Sequence, residues 1–185
     1  LIKSSMGRAL HDSIEKSWKH GYRRSLSLLG YPESVIDRVK INPKNDELEP
    51  NTIPVYVEQR MFRELGGWKI GGKYDMISEG ILNDFKSTSA YTWMFNSRND
   101  DYIEQGSIYS WLDASQSQPK IKEDFIQINF IFTDWQKSQA KSNPEYPQNI
   151  LESKKYKLFD PKKTEIMIRE KLSLIEKYEN APESQ

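Results

Sequence analysis

Apolar positions recur every four residues near the start of the chain, at Met6, Leu10, Ile14 and Trp18, which predicts a helix over residues 4–29. Ser4 or Ser5 is the expected cap, and Gly30-Tyr31-Pro32 the stop. A second short helix is expected over Glu33–Val39, with Val35, Ile36 and Val39 on one side, and residues 42–52 read as a polar loop. The pattern then shortens to a strand period. Ile53–Phe62, Trp68–Ile77 and Ile81–Thr88 are rich in β-branched and aromatic residues, and only Ser78-Glu79-Gly80 separates the last two, which predicts a hairpin. Tyr102–Ala114 reads as a helix. Phe125–Phe132 alternates, placing Ile126, Ile128, Phe130 and Phe132 on one face of a strand. Residues 136–150 form a second polar loop, Tyr156–Phe159 an edge strand, and Pro161–Tyr178 an amphipathic helix with Ile168, Leu172 and Ile175 on its stripe. Residues 180–185 are expected to fray.

The order α–βββ–α–β–(β)–α implies a mixed sheet with helices against it, an α/β fold in one domain over residues 1–179. Only 36% of the 185 residues are apolar and mean hydropathy is −0.80, yet 22 aromatic residues supply large areas to bury. No apolar run is long enough for a membrane span or a secretory leader. The absence of cysteine excludes disulfides, thiolate zinc sites and cysteine-ligated iron–sulfur clusters, and fits a reducing, cytoplasmic setting. Because Leu1 is no initiator methionine, a chain trimmed or cut from something longer is expected. The 27 basic and 27 acidic residues balance, so nucleic-acid contact by bulk charge is excluded and any such contact must be local.

With Glu79-Gly80 as a two-residue loop, Ser78 faces Ile81 and the same register faces Asp75 with Asp84. Cross-strand Cβ atoms lie about 4.5–5.5 Å apart. Two carboxylates that close repel unless one is protonated or a cation lies between them. Lys86, two residues beyond Asp84, shares its face; Phe85 points to the other, its carbonyl left at the strand edge. Two carboxylates, a carbonyl and an ammonium suit Mg²⁺ or Mn²⁺ beside a basic group. The Asp-Phe-Lys triplet carries little alone, since Glu152-Ser153-Lys154 and Asp160-Pro161-Lys162 have the same form. His11 lies beside the apolar stripe of the first helix, where it serves either as a partner residue or as a ligand. Glu58 sits mid-strand, where a charge needs a partner, an exposed salt bridge being the plain explanation. Gln105 and Tyr109, four apart, share a helix face.

Taken in order, GRALH (Gly7 to His11), Glu58 in PVYVEQRMF, GGKYD ending at Asp75, NDFKST with Asp84 and Lys86, and QGSIY (Gln105 to Tyr109) resemble the RecB-like branch of the PD-(D/E)XK nucleases, the branch of lambda exonuclease. The five motifs span residues 4–112, about 60% of the chain. The resemblance implies a restriction-endonuclease-like sheet. It also implies one or two Mg²⁺ or Mn²⁺ ions on His11, Asp75, Asp84 and the Phe85 carbonyl. Lys86 would position or deprotonate water, Glu58 would be an accessory ligand, and Gln105 and Tyr109 would hold the lysine region and the scissile strand. The implied activity is a metal-dependent DNase, foremost an exonuclease at single- or double-stranded DNA ends in recombination, repair or phage replication, leaving 5′-phosphates. A structure-selective endonuclease of resolvase or restriction type and a catalytically inactive nucleic-acid-binding module are the alternatives. A recombination or replication protein as partner and a homo-oligomer stay open. The chain departs from relatives that carry four cluster-binding cysteines or a helicase motor, and it has Asp84 where many relatives have Glu.

Candidate DNA contacts are Arg8, the hydroxyls of Ser87, Thr88 and Ser89, and Tyr109. Residues 3–24 carry six Lys/Arg against Asp12 and Glu15, a local charge of +4, and Lys154, Lys155, Lys157, Lys162 and Lys163 form a second basic run. Each run is either a phosphate track or a solvated face. Tyr91, Trp93 and Phe95 either stack on frayed bases or belong to the core. No element reads as a base-reading device, so weak sequence specificity is expected.

Overall fold

The structure is a computed structural model that describes residues 2–179, without the side chains of residues 2–4, 6 and 179. The expected fraying of residues 180–185, and the Met6 and Lys3 side chains, lie outside the described residues. The elements in order are α1 (Ile2–Leu28), α2 (Glu33–Ile36), β1 (Val39–Ile41), a 3₁₀ turn (Asn45–Glu47), β2 (Ile53–Val57), β3 (Arg60–Leu65), β4 (Trp68–Lys73), β5 (Met76–Ser78) and β6 (Ile81–Thr88). Then come α3 (Ala90–Met94), α4 (Asn99–Asp113), β7 (Phe125–Phe132), α5 (Lys137–Ser142), β8 (Leu151–Lys157) and α6 (Pro161–Glu179).

Six strands form a mixed sheet in the order β1-β2-β5-β6-β7-β8, parallel at β1/β2 and β6/β7 and antiparallel elsewhere. The α/β architecture with flanking helices is as expected. On one face, Ile126, Ile128, Phe130 and Phe132 pack with Leu82, Tyr56 and Ile77 against Tyr102, Trp111 and Leu112 of α4 and Ile168 of α6. On the other, Trp18, Tyr22 and Leu26 of α1 cover Val39, Val55, Val57, Met76 and Phe85. The strict alternation of β7 is what allows this: its even-numbered residues are at most 2% exposed.

Several boundaries differ from the sequence expectation. Helix α1 begins at Ile2, so Ser4 and Ser5 lie inside its first turn rather than at its cap. It ends as foreseen, with Tyr31 N–H donating to the Leu26 carbonyl and Gly30 N–H to Ser27. The expected second helix stops at Ile36, and Val39 begins a strand that pairs parallel with β2. The polar loop 136–150 contains α5, and β8 starts at Leu151, earlier than its apolar end suggests, because a half-exposed edge strand accepts lysines on its open face. Ile175 is exposed; α6 uses Ile168 and Leu172.

The main correction concerns the first two expected strands. They form one antiparallel ribbon in a single register, Val57 opposite Met76 and Arg60 opposite Lys73, closed by Gly66-Gly67. The ribbon is kinked where Glu58 takes a left-handed backbone, φ 55°. The ladder passes through the kink, since Glu58 N–H donates to the Asp75 carbonyl and Tyr74 N–H to that of Gln59. Beyond it, β3 and β4 peel away as a separate two-stranded arm. Among the described residues, β6 past Asn83 therefore has a strand neighbour only on its β7 side. The fork where the arm leaves the sheet is where the candidate residues gather.

Candidate metal and nuclease site at the sheet fork

The hairpin register matches the sequence expectation: Ser78 faces Ile81, Ile77 faces Leu82 and Met76 faces Asn83. The ladder ends there, one step short of facing Asp75 with Asp84. Asp75 instead turns its carboxylate to the open edge of β6, where Oδ2 accepts the Phe85 N–H at 2.9 Å. In an extended strand the N–H and C=O of one residue point to the same side. The Phe85 carbonyl thus lies on the edge that Asp75 caps.

Helix α1 brings His11 to the same carboxylate, with Nδ1 3.4 Å from Asp75 Oδ2. Gly7, one turn earlier, packs closely on β6: a Cβ there would sit 3.1 Å from Ser87 Oγ, which would have to give way by a few tenths of an ångström. The hydrogen bond to Asp75 raises the His11 pKa, with the Asp75 and Asp84 charges adding to it and burial opposing. Glu58 completes the cluster from the kink. Ligand atoms of His11, Glu58 and Asp75 all lie within 4.8 Å of one another, a spacing that one cation can bridge. Lys73 pairs with Glu58, so the salt bridge offered as the plain explanation of Glu58 is also present. These residues border a cavity of about 430 Å³ that also meets Arg8 and Glu15. A cavity of the same volume lies elsewhere, around Arg38, Tyr56 and Lys120, away from this cluster.

The second group faces α4. Asp84 is only 2% exposed. Gln105 Nε2 donates to its Oδ1 at 2.9 Å and to Tyr109 Oη at 3.3 Å, while Lys86 Nζ donates to Gln105 Oε1 at 3.3 Å. Gly106 allows this reach, since a Cβ there would come within 2.8 Å of Ile126 and Leu158. Lys86 Nζ forms an ion pair with Asp84 Oδ2 at 2.7 Å. Burial raises the Asp84 pKa, and the Asp75 charge adds to it against the opposing pull of Lys86. The Tyr109 hydroxyl is likewise pushed up by burial. A buried carboxylate beside a second carboxylate is a charge set that a divalent cation can join.

Not every expected residue joins this assembly. The compact cluster contains Glu58 and not Asp84, which lies deeper and is tied to Lys86 and Gln105. Ser89 spends its hydroxyl accepting the Thr92 N–H, and Trp93 packs edge-on against Phe130 and Phe132 as core. Ser87 lies against Gly7 of α1. The lysine run of β8 does not make one track: Lys154 lies over Trp93 and Tyr156, while Lys155 lies over Phe125, because successive strand residues alternate faces. The excess charge of α1 is reduced where Arg23 pairs with Glu33 and Asp37 of the next segment. Lys73 is the participant that sequence reasoning missed. Its position two residues before Asp75 was visible, but its pairing with Glu58 depends on the kink.

In comparisons with family models, curated proteins and solved structures, the chain matches none. Among the described residues, no helix is long and apolar enough to cross a membrane.

Proposed function

We propose that the protein is a divalent-metal-dependent DNA nuclease of the RecB-like PD-(D/E)XK type, foremost an exonuclease acting at DNA ends. The observation that carries this is the convergence at the fork: ligand atoms of His11, Glu58 and Asp75 lie within 4.8 Å of one another, with the buried Asp84–Lys86 pair on the neighbouring strand.

His11, Asp75, Asp84 and the Phe85 carbonyl would hold Mg²⁺ or Mn²⁺, with Glu58 as a further ligand. The ion, when bound, supplies Lewis acidity at a phosphate and neutralises charge there. The chain's own groups do the rest. Lys86 orients or deprotonates a water near the scissile phosphate. Gln105 fixes Lys86 and Asp84 relative to each other through its two amide atoms, and Tyr109 steadies Gln105. Arg8, at the rim of the cavity, meets the phosphate backbone. The cysteine-free composition supports a cytoplasmic setting.

The test is digestion of end-labelled single- and double-stranded oligonucleotides with Mg²⁺ or Mn²⁺. Cleavage is expected only with the ion, and Lys86→Ala is expected to slow it by roughly 10²–10⁴. Covalently closed DNA should resist cutting; if it is cut as fast as linear DNA, the endonuclease alternative takes over. A Lys86→Ala protein that cuts at the wild-type rate removes the proposal.

A further inference from the structure

Two large aromatic rings stand out of the surface directly beyond the strand that carries Asp84 and Lys86. Helix α3 follows β6 after a single residue, and its middle ring, Trp93, turns inward onto Phe130 and Phe132 at 5.1 and 5.7 Å. Tyr91 and Phe95, two residues to either side, face out. They are 66% and 60% exposed and lie against each other, with ring centroids 4.4 Å apart and planes 37° from parallel. One exposed aromatic is ordinary; a mutually packed pair with free outer faces on a firmly held turn is a different object. The turn is firmly held: Ala90 N–H donates to Asp134 Oδ1 at 2.8 Å, and Ser89 Oγ accepts the Thr92 N–H.

The rim around the pair is polar and cationic. Lys154 Nζ donates to Asn96 Oδ1 at 2.7 Å, which fixes a positive charge beside α3, and Arg98, paired with Asp101, follows on the surface. Flat π faces edged by amides and cations match unpaired nucleobases on a phosphate backbone better than an apolar protein surface. Tyr91 is five residues from Lys86, at most about 17 Å at ~3.3 Å per extended residue.

We propose that Tyr91 and Phe95 form a base-stacking platform for the unpaired end of a DNA strand, which makes single-stranded or frayed DNA the substrate class. The proposal rests on the nuclease reading for its placement beside the cutting residues, but its test does not need cutting. Anisotropy of a labelled single-stranded oligonucleotide, a blunt hairpin duplex and an abasic strand of equal length is measured in EDTA. The proteins are wild type, Tyr91→Ala/Phe95→Ala and Tyr91→Trp/Phe95→Trp. The alanine pair is expected to weaken single-strand binding roughly 10- to 100-fold, leaving the abasic strand and the duplex unaffected. The tryptophan pair should restore it. Equal melting temperatures of the variants check that the fold is intact.

Single-strand affinity unchanged by the alanine pair, an equal loss on the abasic strand, or no single-strand binding by wild type overturns the platform. A wild-type dimer in sedimentation that the alanine pair dissociates, with oligonucleotide binding unchanged, reassigns the patch to a second copy and also overturns it. Base-dependent binding without Mg²⁺- or Mn²⁺-dependent cleavage would uphold the platform and remove the nuclease, so the two failures are distinguishable.

Discussion

The two sides of β6 at the fork treat their carboxylates in opposite ways. Towards α4, Asp84 is sealed among Gln105, Tyr109 and Lys86, and burial disfavours its charge. Towards α1, Asp75 stays partly open, shared by His11 and the Phe85 N–H, with Glu58 alongside. The sealed side is preorganised and strained electrostatically, while the open side is accessible and already balanced by local partners. On the proposed reading, a cation would enter from the open side, and its charge would relieve the carboxylate on the sealed one. The kink at Glu58 is part of that arrangement. A non-glycine residue in left-handed backbone costs about 1–2 kcal/mol, and it persists because the ladder continues through it.

The sharpest break of this asymmetry is at the residue both sides share. Asp75→Ala removes the partner of His11 and the acceptor of the Phe85 N–H, and is expected to weaken Mn²⁺ binding about 100-fold or more in titration calorimetry, ~2.7 kcal/mol. Unchanged affinity would remove Asp75 from the metal site. Next comes Asp84→Asn, which keeps the shape and deletes the buried charge. Because burial disfavours the Asp84 charge, metal-free protein should become more stable at neutral pH, read as a higher melting temperature. Lys86, partly exposed, can rehydrate once its partner is gone.

The pH dependence follows in sign. A carboxyl whose pKa is raised by folding contributes stability below the ordinary aspartate range and loses it as pH rises through the raised value. Metal-free wild type should therefore lose stability across that window, and Asp84→Asn should not. Mn²⁺ should raise the melting temperature of wild type and leave the variant unmoved. A destabilised Asp84→Asn protein would mean the carboxylate is structural. The smallest effect is expected at Glu58→Gln. Its ion-pair partner Lys73 is 46% exposed, so fold stability should change by no more than about 0.5 kcal/mol, with Mn²⁺ affinity falling up to about tenfold. A larger loss than at Asp75 would invert the comparison.

Much of this was legible in the residues. The alternation of 125–132, the period of the terminal helices and the two-residue loop at Glu79-Gly80 each encode their outcome locally, and the hairpin register brought Asp75 towards Asp84 and Lys86 onto the Asp84 face. The β3–β4 arm was partly legible too, since Gly66-Gly67 between two β-rich runs is a hairpin turn signal that went unread. The kink was not, because nothing in Val57-Glu58-Gln59 marks a left-handed residue. Nor was the division of the β8 lysines between two faces, which needed the strand to begin at Leu151 rather than Tyr156.

By itself the sequence determined the longer elements (α1, β6, α4, β7 and α6), the faces of β7, and the order of the motifs. Those properties follow from neighbours two to four residues apart, whose geometry is set by backbone periodicity. Only the tertiary structure decided that the ribbon forks at Glu58, that Asp84 is buried between Lys86 and Gln105, and that Tyr91 and Phe95 stand outside while Trp93 is taken inside. These depend on what packs against what: His11 with Asp75, and Gln105 with Asp84, meet across long stretches of chain, and burial and charge at such meetings belong to the assembled layers rather than to any single segment.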